Sequence, residues 1–284
     1  FMVADKVVVT SKKVLEDKAY SWISDGKGEY EIQECLKDGF GTKIDVYLKD
    51  DAKEYANRWR IESLIKKYSD HIAFPIILSY DEKQTKEDKS EEIIHKEEQI
   101  NKAKALWKIP KNELSQDDYN EFYQNLSHDN SKPLSYIHNK VEGSLEYTTL
   151  FYIPSVAPFD LFRVDYKSGV KLYVKRVFIT DDDKELLPQY LRFIRGIIDS
   201  EDLPLNVSRE ILQQNKILAN IKSASTKKIL SEIENLSKDE EKYKTFHNEF
   251  GKLLKEGLYS DYENKDKLLN LCRFTTTKGE FISL

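Results

Sequence analysis

The chain has 284 residues, beyond the roughly 100–200 usual for one domain, so two compact units with separate cores are expected. Hydrophobic residues make up 39% and charged residues 33%, and 17 Tyr with 13 Phe supply enough large apolar surface to exclude a wholly disordered chain. A net charge of −5 with both signs interspersed offers no broad positive field for a phosphate backbone, which argues against nucleic acid as a partner. The cysteines, Cys35 and Cys272, stand far apart in a Cys-poor chain, which fits small core residues in a reducing cytoplasm rather than a disulfide scaffold. No apolar run approaches the ~18 residues of a membrane span, and no signal-peptide pattern opens the sequence.

The chain opens on Phe1-Met2-Val3-Ala4, apolar and without a capping residue, which reads as a cut through a domain. Val7-Val8-Val9 is a β-branched run, and Tyr20, Trp22, Tyr30 and Ile32 flank a turn at Asp25-Gly26-Lys27-Gly28, the signature of a hairpin. Thr42, Ile44, Val46 and Leu48 alternate with polar residues, predicting a strand with one buried face in a mostly antiparallel sheet. Ile61, Leu64, Ile65 and Tyr68 recur at helical spacing, predicting an amphipathic helix able to cover that sheet, and 74–78 reads as a short strand. Residues 81–98 are almost entirely charged and read as a linker between a unit spanning 1–80 and one spanning 99–284. In the second unit, 147–153 and 171–180 are apolar strand-like runs separated by a loop around Pro154 and Pro158. Leu187, Tyr190, Leu191, Ile194 and Ile198 fit one helical face. Ile229, Ile233 and Leu236, then Tyr243, Phe246, Phe250 and Leu253, fit two more. The expected class is α/β with a helical tail.

The five histidines show no metal-ligand spacing, and neither a P-loop nor a G-x-S-x-G is present. The run from Asp202 to Lys216 stands out. It turns at Pro204, and Ser208 reads as an N-cap restarting a helix. Arg209 then occupies a first turn, where the helix dipole disfavours a cation, and Gln213-Gln214-Asn215 interrupts the apolar face. Two readings stay open on this chemistry. Arg209 pairs with Glu201 or Asp202 on a solvated loop, or it is presented to stabilise charge on a transferring phosphate.

The run D-L-P-L-N-V-S-R-E-I-L-Q at 202–213 closely resembles the catalytic loop of the heat-shock protein 90 chaperone family, in its bacterial form. The segments R-F-I-R-G-I-I-D-S-E at 192–201, K-L-Y-V-K-R-V-F-I-T at 171–180, Y-I-P-S-V-A-P-F-D-L-F at 152–162 and N-K-A-K-A-L-W at 101–107 agree with that family's middle domain. F-M-V-A-D-K-V at 1–7, G-K-G-E-Y at 26–30 and G-F-G-T at 39–42 resemble the later part of its N-terminal ATPase domain, so essentially the whole chain is covered.

The resemblance implies the C-terminal part of a Bergerat-type ATPase sandwich over 1–80 and an α/β/α middle domain over 99–284, its large part ending near 222. It implies that Arg209 reaches the γ-phosphate of ATP and that Gln213 accompanies it. Thr42 would help hold the adenine edge, Phe159 would position the catalytic loop beside it, and Trp107 would be an exposed client contact. ATP with Mg, unfolded or partly folded clients, co-chaperones and a homodimer through a C-terminal domain outside this sequence are implied as well. The family's catalytic glutamate, Mg-linked asparagine, adenine-binding aspartate and glycine-rich lid match positions before Phe1, so this chain alone is expected to be inactive. Two alternatives stand beside this reading. Gln84-Thr85-Lys86 is the tripeptide of a gyrase or mismatch-repair ATPase, and the chain could be a non-enzymatic interaction module.

Overall fold

The computed structural model describes residues 1–85, 91–163, 166, 168–181, 185–205, 215–277 and 279–283. Its contacts divide it into two compact units, Phe1–Lys67 with Ile77–Ile100, and Tyr68–Ile76 with Asn101–Leu284.

The first unit holds a four-stranded antiparallel sheet of β1 (Ala4–Lys12), β2 (Ala19–Ser24), β3 (Tyr30–Cys35) and β4 (Gly41–Leu48), ordered β3-β2-β1-β4. The β2–β3 hairpin closes where expected. Gly26 and Gly28 take φ of +78° and +106°, open to glycine at little cost, and the Ser24 hydroxyl donates to the Glu29 carbonyl at 2.7 Å. Register places Ile44, Val9, Trp22 and Ile32 in one cross-strand row and Val46 beside Val7 in the next, so the sheet has an apolar face. That face is not buried. Ile32, Ile44 and Val46 are 63%, 60% and 49% exposed, which corrects the buried face expected of β4. Alternation specifies which side of a pleat is apolar but supplies no layer to cover it. The amphipathic helix α1 (Arg58–Tyr68) does not provide one, since none of its residues is fully buried. Cys35 is likewise only half-buried, whereas Cys272 lies in a core as expected.

The charged stretch 81–98 is also a correction. It pairs as an antiparallel ribbon of β5 (Ile77–Thr85) and β6 (Glu91–Gln99), in register from Ile77 opposite Gln99 to Thr85 opposite Glu91. Charge density excludes a core, but a ladder with opposed charges needs none. Asp81 meets His95 at 2.9 Å, Glu82 pairs with Lys96, and the Tyr80 hydroxyl donates to Glu98 at 2.6 Å. Arg58 lies 3.8 Å over the Tyr80 ring and pairs with Glu98.

The second unit is built on a five-stranded mixed sheet. Its strands are β7 (Ser135–Val141), β8 (Tyr147–Ile153), β9 (Gly169–Val174), β10 (Val177–Thr180) and β11 (Arg195–Ser200), ordered β10-β9-β11-β8-β7. Only β9 and β11 run parallel. Both faces are buried. Leu150, Tyr152, Tyr173, Phe178 and Ile197 pack on one side with α2 (Gln116–Ser127), which opens with a capping box of Ser115 and Asp118. Phe151, Ile153, Leu172, Val174 and Ile198 pack on the other with α3 (Lys216–Leu236), α4 (Glu240–Ser260) and α5 (Lys265–Leu271), followed by the short strands β12 (Phe274–Thr276) and β13 (Gly279–Ile282). This is an α/β/α arrangement. The faces expected of α3 and α4 are buried as read, Ile229, Ile233, Phe246, Phe250 and Leu253 completely so.

Two elements differ from expectation. Lys171–Thr180 is two strands, because Lys175 and Arg176 take positive φ of 50° and 67° and turn the chain back. Leu187, Tyr190, Leu191, Ile194 and Ile198 are all buried, yet not on a helix. Pro188 opens a single 3-10 turn over Gln189–Leu191, and β11 begins at Arg195 with the helix-averse Gly196-Ile197-Ile198. Among the described residues no helix is long and apolar enough to cross a membrane.

Candidate functional site at the end of the central strand

Strand β11 is buried from Gly196 to Ser200 and delivers the chain directly into the loop singled out by sequence. Its last residues are clamped on several sides. On the β8 side, Glu201 N–H donates to the Glu146 carbonyl at 2.9 Å, and the Asp202 carboxylate accepts from Glu146 N–H at 2.6 Å. On the β9 side, Lys175 N–H donates to the Ser200 carbonyl at 3.0 Å. The Ser200 hydroxyl oxygen accepts from the amides of Asp202 and Leu203 at 3.3 Å each, folding the chain so that Leu203 is buried while Leu205 is half in solvent. The far stem is Asn215, which caps α3 by accepting from the amides of Ile217 and Leu218 at 2.8 and 3.3 Å. Arg209, Gln213 and the N-cap expected at Ser208 lie outside the described residues.

Asp199 is fully buried at the end of β11. Its carboxylate accepts from the Trp107 indole N–H at 2.7 Å and from Arg176 N–H at 3.1 Å, and Lys108 Nζ stands 3.3 Å away while also meeting Glu201 at 2.6 Å. The exposure expected of Trp107 is therefore corrected. The side chain is 1% exposed, ringed by His71, Phe122 and Tyr173 at centroid distances of 4.7, 5.8 and 5.0 Å. Ala105 is buried beside it. An apolar Ala-Leu-Trp run next to charged sequence reads as a sticky patch only until the sheet that covers it is known.

Two histidines complete this layer. His138 Nε2 lies 2.9 Å from the Trp107 carbonyl and Nδ1 lies 2.8 Å from the Tyr119 hydroxyl. A carbonyl only accepts, so Nε2 carries the proton and Nδ1 accepts from Tyr119. Burial holds the His138 pKa below its ordinary value, against the pull of the carbonyl, so the neutral ring is the form present near pH 7. Burial likewise lowers His71, which hydrogen-bonds the Lys104 carbonyl at 2.9 Å. Asp199, His138 and Tyr119 escaped sequence reading. An acid directly after Ile197-Ile198 was the available signal.

Phe159 is 96% exposed, with Val156 and Phe162 each 56% exposed nearby in the chain, which excludes a plain core aromatic at that position. Thr42 belongs to the first unit, exposed on β4 with its hydroxyl 3.0 Å from that of Ser11. Of the Gln84-Thr85-Lys86 tripeptide, the first two residues continue β5 and the third lies outside the described residues. Among the described residues no group of three His, Cys, Asp or Glu side chains is placed to hold a metal ion.

A family model described as Hsp90 protein matches residues 79–284. The chain belongs to the heat-shock protein 90 family. Among curated members, the chaperone protein HtpG of Wolinella succinogenes is 70% identical over 274 residues, covering 96% of this chain and 44% of that protein. HtpG of Helicobacter pylori is 69% identical over 288 residues, covering 100% of this chain and 46% of the relative. HtpG of a Sulfurovum species is 57% identical, with 99% and 45% covered. The chain thus spans about half the length of the curated Hsp90 relatives it matches.

Proposed function

We propose that this chain works within a longer ATP-dependent chaperone, in which 1–80 complete a nucleotide-binding domain and 99–284 form the middle domain that acts on its ATP. The observation that carries the reading is the stem of the Asp202–Gln213 loop, rooted in a buried central strand and clamped to its neighbours in a family member whose loop keeps the full D-L-P-L-N-V-S-R-E-I-L-Q run. A rigid root is what a loop needs to present a cation reproducibly. Arg209 is the residue that would meet the γ-phosphate, where a fixed guanidinium stabilises developing negative charge, and Gln213 would accompany it. Thr42, on the exposed β4 strand, would contribute to the adenine edge.

Among the described residues no group of three or more His, Cys, Asp or Glu side chains is placed to hold a metal ion, so no step is assigned to magnesium. Unfolded or partly folded proteins are the proposed clients, with co-chaperones, a homodimer and a cytoplasmic site following from the same reading.

In the full-length protein, Arg209→Ala should lower kcat by about 10- to 1000-fold with nucleotide affinity little changed, because such arginines act on transition-state charge. Equal loss of nucleotide binding with turnover per bound ATP intact would overturn this.

A further inference from the structure

Asp199 presents a problem of energetics. A carboxylate with no exposed surface is costly to desolvate, and an apolar pair of similar volume would hold the same two segments together at least as well. What a buried, fully partnered carboxylate adds is direction. Its two oxygens fix an indole N–H and a backbone N–H in defined orientations, which apolar contact does not.

The donors come from segments distant in sequence. Trp107 and Lys108 sit on a 3-10 turn over Leu106–Lys108, whose Trp107 carbonyl is itself held by His138 of β7. Arg176 sits at the left-handed turn between β9 and β10. All converge three residues before Asp202. Lys108 extends the clamp along the chain by bridging Asp199 and Glu201.

We propose that Trp107, Lys108 and Asp199 are positioning residues for the loop that begins at Asp202, fixing the angle at which it leaves the sheet and hence the reach of Arg209. The proposal rests on the reading of that loop as the source of the arginine. It assigns Trp107 an internal task, holding the root of the loop through Asp199.

The test uses the full-length protein and steady-state ATP turnover, with each variant assayed below its own melting temperature. Trp107→Phe keeps an aromatic ring in the pocket and removes the Nε1–H donor together with part of the indole's bulk. It should lower kcat about 10-fold while KM for ATP stays within about 2-fold, since a small displacement of a catalytic group acts on the chemical step. In an Arg209→Ala background the same substitution should cost nothing further, because the group it positions is gone. If Trp107→Phe fails to fold, Lys108→Met, which removes the charge from the rim of the cluster, should lower kcat about 3-fold with the same dependence on Arg209. Unchanged kcat in both variants, or losses that multiply with that of Arg209→Ala, would overturn the proposal. An Arg209→Ala protein with undiminished kcat would instead overturn the reading of the loop itself.

Discussion

At Trp107 a single hydrogen bond separates two very different residues. Exposed, the side chain would offer contact area. Buried against His71 and Tyr173 with its N–H on Asp199, it is a core anchor whose loss leaves a large cavity and a carboxylate short of a donor. Trp107→Ala should therefore lower the unfolding free energy by about 3–5 kcal/mol in denaturant melts. A change under about 1 kcal/mol would mean that the indole is not packed in this way. His247 makes a second prediction at this scale. Burial, helped by Lys255 and Arg273, pushes its pKa down to about 4, and its Nε2 accepts the Arg273 amide at 3.2 Å, which only an unprotonated nitrogen can do. The unfolded ring titrates near about 6.5, so as pH falls from there through the folded value the unfolded chain gains a proton that the folded chain refuses. Stability should be constant on this account above pH ~7 and fall by about 2 kcal/mol between pH ~6.5 and ~4. Melts of His247→Gln, which keeps an acceptor, should show a shallower slope over that window. Identical slopes would remove His247 as the cause.

Strand β11 is the element on which the second unit turns. It is flanked by β8 and β9, packs apolar residues to both faces, and ends in the loop stem. Gly196 permits this, because a Cβ there would stand 2.2 Å from the Leu150 carbonyl oxygen and 2.9 Å from Phe151 Cα, both backbone atoms that a flexible side chain's movement does not relieve. Gly196→Ala is expected to cost about 2–4 kcal/mol by thermal or chemical unfolding, with far-UV circular dichroism reporting loss of the sheet first. A melting temperature within a degree of wild type would show that the two strands can separate. The β5–β6 ribbon stands at the opposite extreme. Its cross-strand charges lie in solvent, where water and salt screen them, so they add little to its stability.

Across the whole molecule the two units differ in how their apolar surface is treated. In the second, both sheet faces are covered by helices and long aromatic side chains. In the first, the face bearing Ile32, Ile44 and Val46 is open, and both β3 and β4 are edge strands. Local opening costs least where few apolar contacts are lost. Amide hydrogen exchange of the chain should accordingly be fast across 4–48 and slowest at 147–153 and 195–200. Equal protection in both units would contradict it.

Much of this was legible from residue order because it depends on local pattern. The β2–β3 turn needs its glycines, α3 and α4 show their buried faces at helical spacing, β8 is apolar apart from Thr148 and Thr149, and the long runs around 202–213 carry the family resemblance. What escaped are features decided by a partner far along the chain. Leu187 to Ile198 had helical spacing, but a buried 3-10 turn at Gln189–Leu191 followed by a strand buried on both faces satisfies the same residues, and Gly196 favours the strand. Charge in 81–98 excluded a core without excluding a ladder, whose stability lies in backbone bonds and in a register that brings Asp81 opposite His95. Trp107 is polar-tipped and apolar-bodied, suited equally to a surface or an interior. Sequence determined that it would seek apolar contact. Only the tertiary structure, by bringing Asp199 from 92 residues away to within 2.7 Å, decided that the contact is internal.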